Sequence, residues 1–183
     1  EALLRLPPGD RSAAHGLRSW FEAFSGLIEH HHTVEDEVFW PALRAVDPAF
    51  GRDEEVLLAD HHELDRAMEA VAVALDGLVA DGAGPDEKAA AVAAARTFSF
   101  TIHDHLDREE ATALEAAQVS IRRSDWLALE VQARASTERR AMTFIGPWLD
   151  DHATSEEAAQ LMALVPWPVG VLVRGPWRRR YRR

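Results

Sequence analysis

Residues 57 to 78 read LLADHHELDRAMEAVAVALDGL, and the spacing of their apolar side chains decides the architecture. Leu57, His61, Leu64, Met68, Val71, Leu75 and Leu78 follow one another at alternating intervals of four and three, which places them on one stripe of a helix and suits packing inside a bundle. One member of that stripe is a histidine. An imidazole in a core position needs a polar partner, so the neighbouring helices must be read for groups that face His61.

Pro and Gly punctuate the chain at only a few places, Pro7-Pro8-Gly9-Asp10, Pro48-Ala49-Phe50-Gly51 and Asp81-Gly82-Ala83-Gly84-Pro85. The Ala, Leu and Glu-rich segments between them predict helices over 11–45, 53–80 and 86–117, with Asp10, Asp53 and Asp86 as N-caps. Strand signals are almost absent, so the fold class is all-α. The opening residues EALLRL read as the last turns of a helix that began upstream. An antiparallel up-down four-helix bundle is therefore expected over 1–117, its first helix largely missing from this sequence. Shorter helices at 124–134, 137–150 and 155–164, the last with capping-box spacing at Thr154 and Glu157, are expected to form an appendage over 118–164 packed on the bundle. A Trp- and Arg-rich tail follows at 165–183.

Composition narrows the chemistry. The 183 residues include no cysteine, which removes disulfides, thiolate nucleophiles, iron-sulfur clusters and Cys-ligated zinc. Any metal must then be held by carboxylates and the nine histidines. Against 31 Asp and Glu stand 20 Lys and Arg, a net charge of −11 that argues against docking on nucleic acid. Six of those bases are arginines between Arg174 and Arg183, so the first 173 residues carry 31 acids against 14 bases, or −17. Neither a membrane-length apolar run nor a signal peptide is visible, and a soluble cytoplasmic protein without membrane contact is expected.

The first long helix carries His31 and Glu35, the third His105 and Glu109, and the second His61 and Asp65. Each pair lies one turn apart and can present imidazole and carboxylate to the same point. Short connections make neighbouring helices antiparallel. His61 then lies 19 residues before the turn at Ala80 and His105 19 residues after Asp86, while His31 lies 21 residues after Asp10. All three imidazoles fall at one height. His31 continues the apolar stripe of Leu17, Phe24, Leu27, Val34 and Val38, and His105 that of Phe98, Ile102 and Ala113, so both are read as pointing inward. Several buried carboxylates without partners would each cost several kcal/mol, a cost that a pair of bridged cations removes.

His30, His32, His62 and His103 step off these stripes and are expected to be solvated or one layer back from the metal. His15 lies roughly 24 Å along the helix from His31, too far to share its site, and His152 is read as a surface residue. Only Glu29 to His32 matches the Glu-x-x-His spacing that ferritin-like bundles need twice. His-Glu-x-x-His, phosphate-binding loops and Gly-x-Ser-x-Gly are all absent from the sequence.

The stretch His31-His-Thr-Val-Glu-Asp-Glu-Val-Phe-Trp-Pro41 resembles the His-His-x-x-Glu-Glu-x-x-Leu-Phe-Pro signature of bacterial hemerythrin-like proteins with the HHE cation-binding domain. His105-Leu-Asp-Arg-Glu-Glu110 is similar to its second copy, and His61-His-Glu-Leu-Asp65 to the ligand pair of the family's third helix. The resemblance covers residues 1–117. It implies two iron ions joined by carboxylate and oxo or hydroxo bridges, although such a donor set also suits manganese or zinc. By position it implies Glu35 and Glu109 as bridges, with Glu110 competing for the second place. His31 would serve one iron, and His61 and His105 the other. Oxygen carriers of the family have a second His where this chain has Asp65, and their first-helix His has no counterpart here.

A carboxylate at Asp65 would add negative charge, stabilise ferric iron and oppose reversible oxygenation. The expected ligand is then a small diatomic molecule or peroxide, met in sensing, scavenging or iron handling; its enzymatic form is a weak oxidoreductase removing peroxide or nitric oxide. A second reading makes the domain a metal-stabilised interaction module whose basic tail, with Trp177 and Tyr181, contacts a partner protein or an anionic surface.

Overall fold

A computed structural model describes residues 2–7, 9–136, 139–164 and 172–181. Glu1, Pro8 and 137–138, together with 165–171 and 182–183 of the tail, lie outside the described residues. The described residues contain helices and no strand. In chain order the helices are α1 (Ala2–Arg5), α2 (Arg11–Val34), α3 (Trp40–Val46), α4 (Gly51–Val79), α5 (Pro85–Glu109), α6 (Glu115–Ser120), α7 (Arg123–Ser136), α8 (Arg139–His152), α9 (Ser155–Leu164) and α10 (Arg178–Tyr181).

Local capping chemistry sets the helix starts. Asp10 accepts from the Ala13 amide at 3.0 Å, as its N-cap reading requires. The other two predicted caps shift. Asp47 accepts from Ala49 at 3.1 Å and starts a 3₁₀ turn at Pro48–Phe50, which runs into α4 two residues before Asp53. Gly84 replaces Asp86 at the start of α5, because Glu87 reaches back to the Gly84 amide at 2.7 Å and leaves Asp86 inside the first turn. Thr154 and Glu157 form the capping box expected of them, with bonds of 2.8 Å and 3.3 Å.

Two of the long helices widen where they carry the site. A π-helical turn at Glu35–Phe39 joins α2 to α3, and a second at Glu110–Leu114 joins α5 to α6. Each begins at or just after the carboxylate of a His-x-x-x-Glu pair, and such turns recur at functional positions because they re-aim side chains.

The compact units of the chain divide after Ser136, which leaves α7 with the bundle. In this first unit α4 packs along both α2 and α5. Phe98 of α5 meets Phe21 and Phe24 of α2 edge-on, with centroids 5.7 Å and 6.3 Å away. The stripe read from residues 57–78 is buried at every position, Leu57 and Leu64 completely. Apolar burial falls into two clusters. One joins Leu64, Met68, Val71, Leu75 and Leu78 to Phe21, Ile28 and Phe98, and the other joins Trp40, Leu43, Phe50, Leu57, Ala113 and Ala117, with Phe39 and Trp126 against it. Between them, on all three helices, lies a polar layer: His32 and Glu35 follow Ile28, His61 falls between Leu57 and Leu64, and His105 and Glu109 separate Phe98 from Ala113.

The second unit stands on its own contacts. Asp150 receives Arg174 at 3.3 Å and Arg178 at 3.2 Å, while Asp151 receives Arg178 at 2.7 Å. Gly146 lies so close to Val173 that an added Cβ would sit 2.8 Å from Val173 Cγ2, and Val173 is buried and stiff at χ1. Gly146→Ala is expected to destabilise this unit by about 1–3 kcal/mol through overpacking. Faster amide exchange confined to α8 and the 173–177 turn would show it; unchanged exchange would mean that the contact relaxes without cost.

Candidate metal centre

The polar layer converges. Glu35, four residues after His31, directs Oε1 to His31 Nε2 at 3.0 Å and Oε2 toward His61 Nε2 at 3.5 Å. Glu109 Oε2 lies 3.8 Å from His105 Nε2. The His61 and His105 rings meet edge-on at 71° with centroids 5.0 Å apart, and His32 stacks on His61 at 3.9 Å and stands edge-on to His105 at 5.4 Å. Two donor groups result, His32 with His61 and His105, and His31 with Glu35 and Glu109; within each the donor atoms lie no more than 4.8 Å apart. Glu35 touches both.

Sequence reading and structure part at four residues, Asp65, Glu110, His32 and His31, the last read as pointing inward. Asp65 is exposed and outside both groups. It follows His61 by four residues, but the seam advances through Leu64 and Met68, which leaves Asp65 about 80° past its middle. Glu110 is exposed as well, since five residues carry it about 140° around the helix from His105, against about 40° for Glu109. His32, set aside as solvated or one layer back, is buried among the imidazoles. A signal for it stood in the sequence: Ala14, Phe21 and Ile28 are seven apart, and His32 continues that buried stripe four residues on. His31 lies on the adjacent, half-buried stripe of Leu17, Trp20, Phe24 and Leu27, and its side chain is 53% exposed. The centre therefore opens to the surface beside His31. His15, His62, His103 and His152 are exposed, and His30 is half-buried.

Burial and crowding set the protonation of the metal-free cluster. His32 is pushed down to about 3, first by desolvation and then by the neighbouring imidazoles His61, His105 and His31. His105 is lowered as well, first by desolvation and then by His61, against the raising charges of Glu35 and Asp60. Glu109 is raised to about 7 by burial and by the adjacent Glu35 carboxylate. For His31 burial works against protonation, but the hydrogen bond and charge of Glu35, with the charge of Glu109, raise it overall.

Two further carboxylates stand behind the imidazoles. Asp36 Oδ1 lies 3.0 Å from His61 Nδ1, and Asp60 Oδ2 lies 3.9 Å from His105 Nδ1 while Arg108 pairs with it. The donor chemistry fits a metal. Both ring nitrogens of His61 and of His105, together with Glu35 Oε2, are buried without an aligned hydrogen-bond partner, and an interior normally does not tolerate five such atoms in one place. Imidazole nitrogen and carboxylate oxygen, with no thiolate, suit iron, manganese or zinc.

No curated protein and no solved structure matches this chain. A family model does, the hemerythrin HHE cation binding domain, over residues 1–117. That span holds all six side chains of the two donor groups. The buried His and carboxylate layer offers two groups of donors that could hold a cation, and the chain belongs to the hemerythrin HHE cation-binding domain family.

Proposed function

We propose that the protein holds a pair of iron ions and reacts with dioxygen, peroxide or nitric oxide in sensing, scavenging or iron handling in the cytoplasm. The observation that carries this reading is the division of six side chains into two groups that share Glu35. His32, His61 and His105 would hold one ion through three neutral donors; His31, Glu35 and Glu109 would hold the other through one neutral and two anionic donors. A bound iron pair supplies the one-electron and oxygen chemistry that such small molecules require. The protein supplies the rest. Leu57, Leu64 and Phe98 wall the layer off from water on either side, and the half-exposed His31 marks where a small molecule enters.

Asp65 is exposed and outside both donor groups, so it is not counted among the charges of the centre. The two groups themselves are asymmetric: the carboxylate pair favours a trivalent ion beside His31, and the imidazole trio favours a divalent one. The interaction-module reading is less favoured, because Arg174 and Arg178 of the basic tail are already engaged by Asp150 and Asp151. Metal analysis of anaerobically purified protein, with visible spectra before and after air, tests the proposal. Two irons per chain and a ligand-to-metal band after air are expected. A colourless zinc protein would overturn it.

A further inference from the structure

His61 faces carboxylates at both ends of its ring. Glu35 Oε2 lies 3.5 Å from Nε2 on the side of the donor groups, and Asp36 Oδ1 lies 3.0 Å from Nδ1 on the other side. Two consecutive residues reach the same imidazole because the π-helical turn that starts at Glu35 steps each residue by less than the roughly 100° of an α-helix. Asp36 Oδ1 is itself buried and, like His61 Nδ1, lacks an aligned partner, so each atom is the nearest remedy for the other after a small rotation. His105 has no equal. Its Nδ1 lies 3.9 Å from Asp60, beyond hydrogen-bond distance, and Arg108 holds that carboxylate.

We propose that Asp36 is a positioning residue for the metal centre, accepting the His61 proton at Nδ1 and so leaving Nε2 bare toward the donor groups. A metal-ligating imidazole is neutral and carries one ring proton, and the bond made by one nitrogen fixes which nitrogen is free. A neutral histidine side chain left to itself favours the proton on Nε2, the nitrogen that must be bare here. Asp36 reverses that preference before any ion arrives. It pairs with His61 and lies outside both donor groups, and so acts on the metal through that imidazole.

The inference rests on the metal reading above, and its test separates the two. Imidazole nitrogen shifts in metal-free protein report the tautomer directly. Wild type is expected to carry the His61 proton on Nδ1, Asp36→Ala to move it to Nε2, and Asp36→Asn, which keeps an acceptor oxygen, to retain the wild-type form in large part. Ferrous ion added anaerobically against a competing chelator should bind Asp36→Ala about 10–100-fold more weakly than wild type, with Asp36→Asn between them. A His61 proton on Nε2 in wild type, or an unchanged tautomer and affinity in Asp36→Ala, would overturn the role of Asp36. Should wild type bind no ferrous ion, the metal reading fails while the tautomer measurement still decides the contact.

Discussion

Replacing His32 by alanine is expected to remove one of two bound ions and leave the other, whereas Asp65→Ala and Glu110→Ala leave both in place. His32 is one of three donors in its group and stacks on His61 at 3.9 Å, so its loss takes away a donor and also the ring that holds His61 in place. Outer-layer substitutions at metal sites cost 10–100-fold in affinity, and deleting a direct donor is expected to cost more than about 100-fold. Because His32 is held uncharged by its surroundings, alanine there removes no charge from the layer. The second group keeps His31, Glu35 and Glu109 intact. Metal content after dialysis against a weak chelator reads the result as one ion per chain instead of two. If His32→Ala retains two ions while Asp65→Ala loses one, the sequence pattern of the family describes the centre better than the buried stripe does.

That contrast shows which parts of the molecule were legible. The alternation of four and three from Leu57 to Leu78 needs only helical periodicity, and every member of it is buried. The common height of His31, His61 and His105 needs only the rise of a helix and short turns, and the three do meet in one layer. His32 was misread because α2 carries two apolar stripes about 100° apart, one fully buried through Ala14, Phe21 and Ile28 and one half-buried through Leu17, Trp20 and Phe24. Adjacent histidines fall one on each stripe, and the stripe richer in large side chains is the more exposed. Asp65 and Glu110 are the reverse case: their spacing from a histidine suited a shared site, but angular drift takes them to solvent. The π-helical turns were not read from the sequence, because apolar periodicity alone does not separate a single widened turn from an α-helical one. The bundle's limit at Ser136, beyond the family match at residue 117, depends on Phe39 and Trp126, 87 positions apart, meeting at 5.2 Å.

Metal affinity is expected to fall steeply as pH drops below about 7, and Glu109 is the main cause. In the metal-free fold its carboxyl is raised from 4.5 to about 7 by burial and by Glu35, so between those values the folded chain holds a proton that the unfolded chain releases. Glu109 therefore stabilises the metal-free protein at acid pH, fully below 4.5, and that contribution is lost as pH rises through 7. His32 runs the other way. Its folded value of about 3 lies below the ordinary 6.5, so it contributes stability above 6.5 that is lost as pH falls toward 3. Across 4.5 to 6.5 the two slopes oppose each other and leave the metal-free fold nearly insensitive to pH through these groups. Cation binding removes that balance, because it requires Glu109 as carboxylate and His31 uncharged, and both are shifted toward their protonated forms. With Glu109 at about 7, its proton alone makes affinity fall about fivefold between pH 7 and pH 6 and about tenfold per unit below that, and the proton of His31 steepens the fall. Titrations in buffers of different ionisation enthalpy count those protons directly. Glu109→Gln keeps the shape of the side chain, cannot titrate and cannot supply an anionic donor; it is expected to bind more weakly at pH 7.5 and to lose one proton from the count. An affinity that stays level from pH 7.5 to pH 5.5 would show that neither Glu109 nor His31 gives up a proton to the ion, and the carboxylate group would then not be a cation site at all.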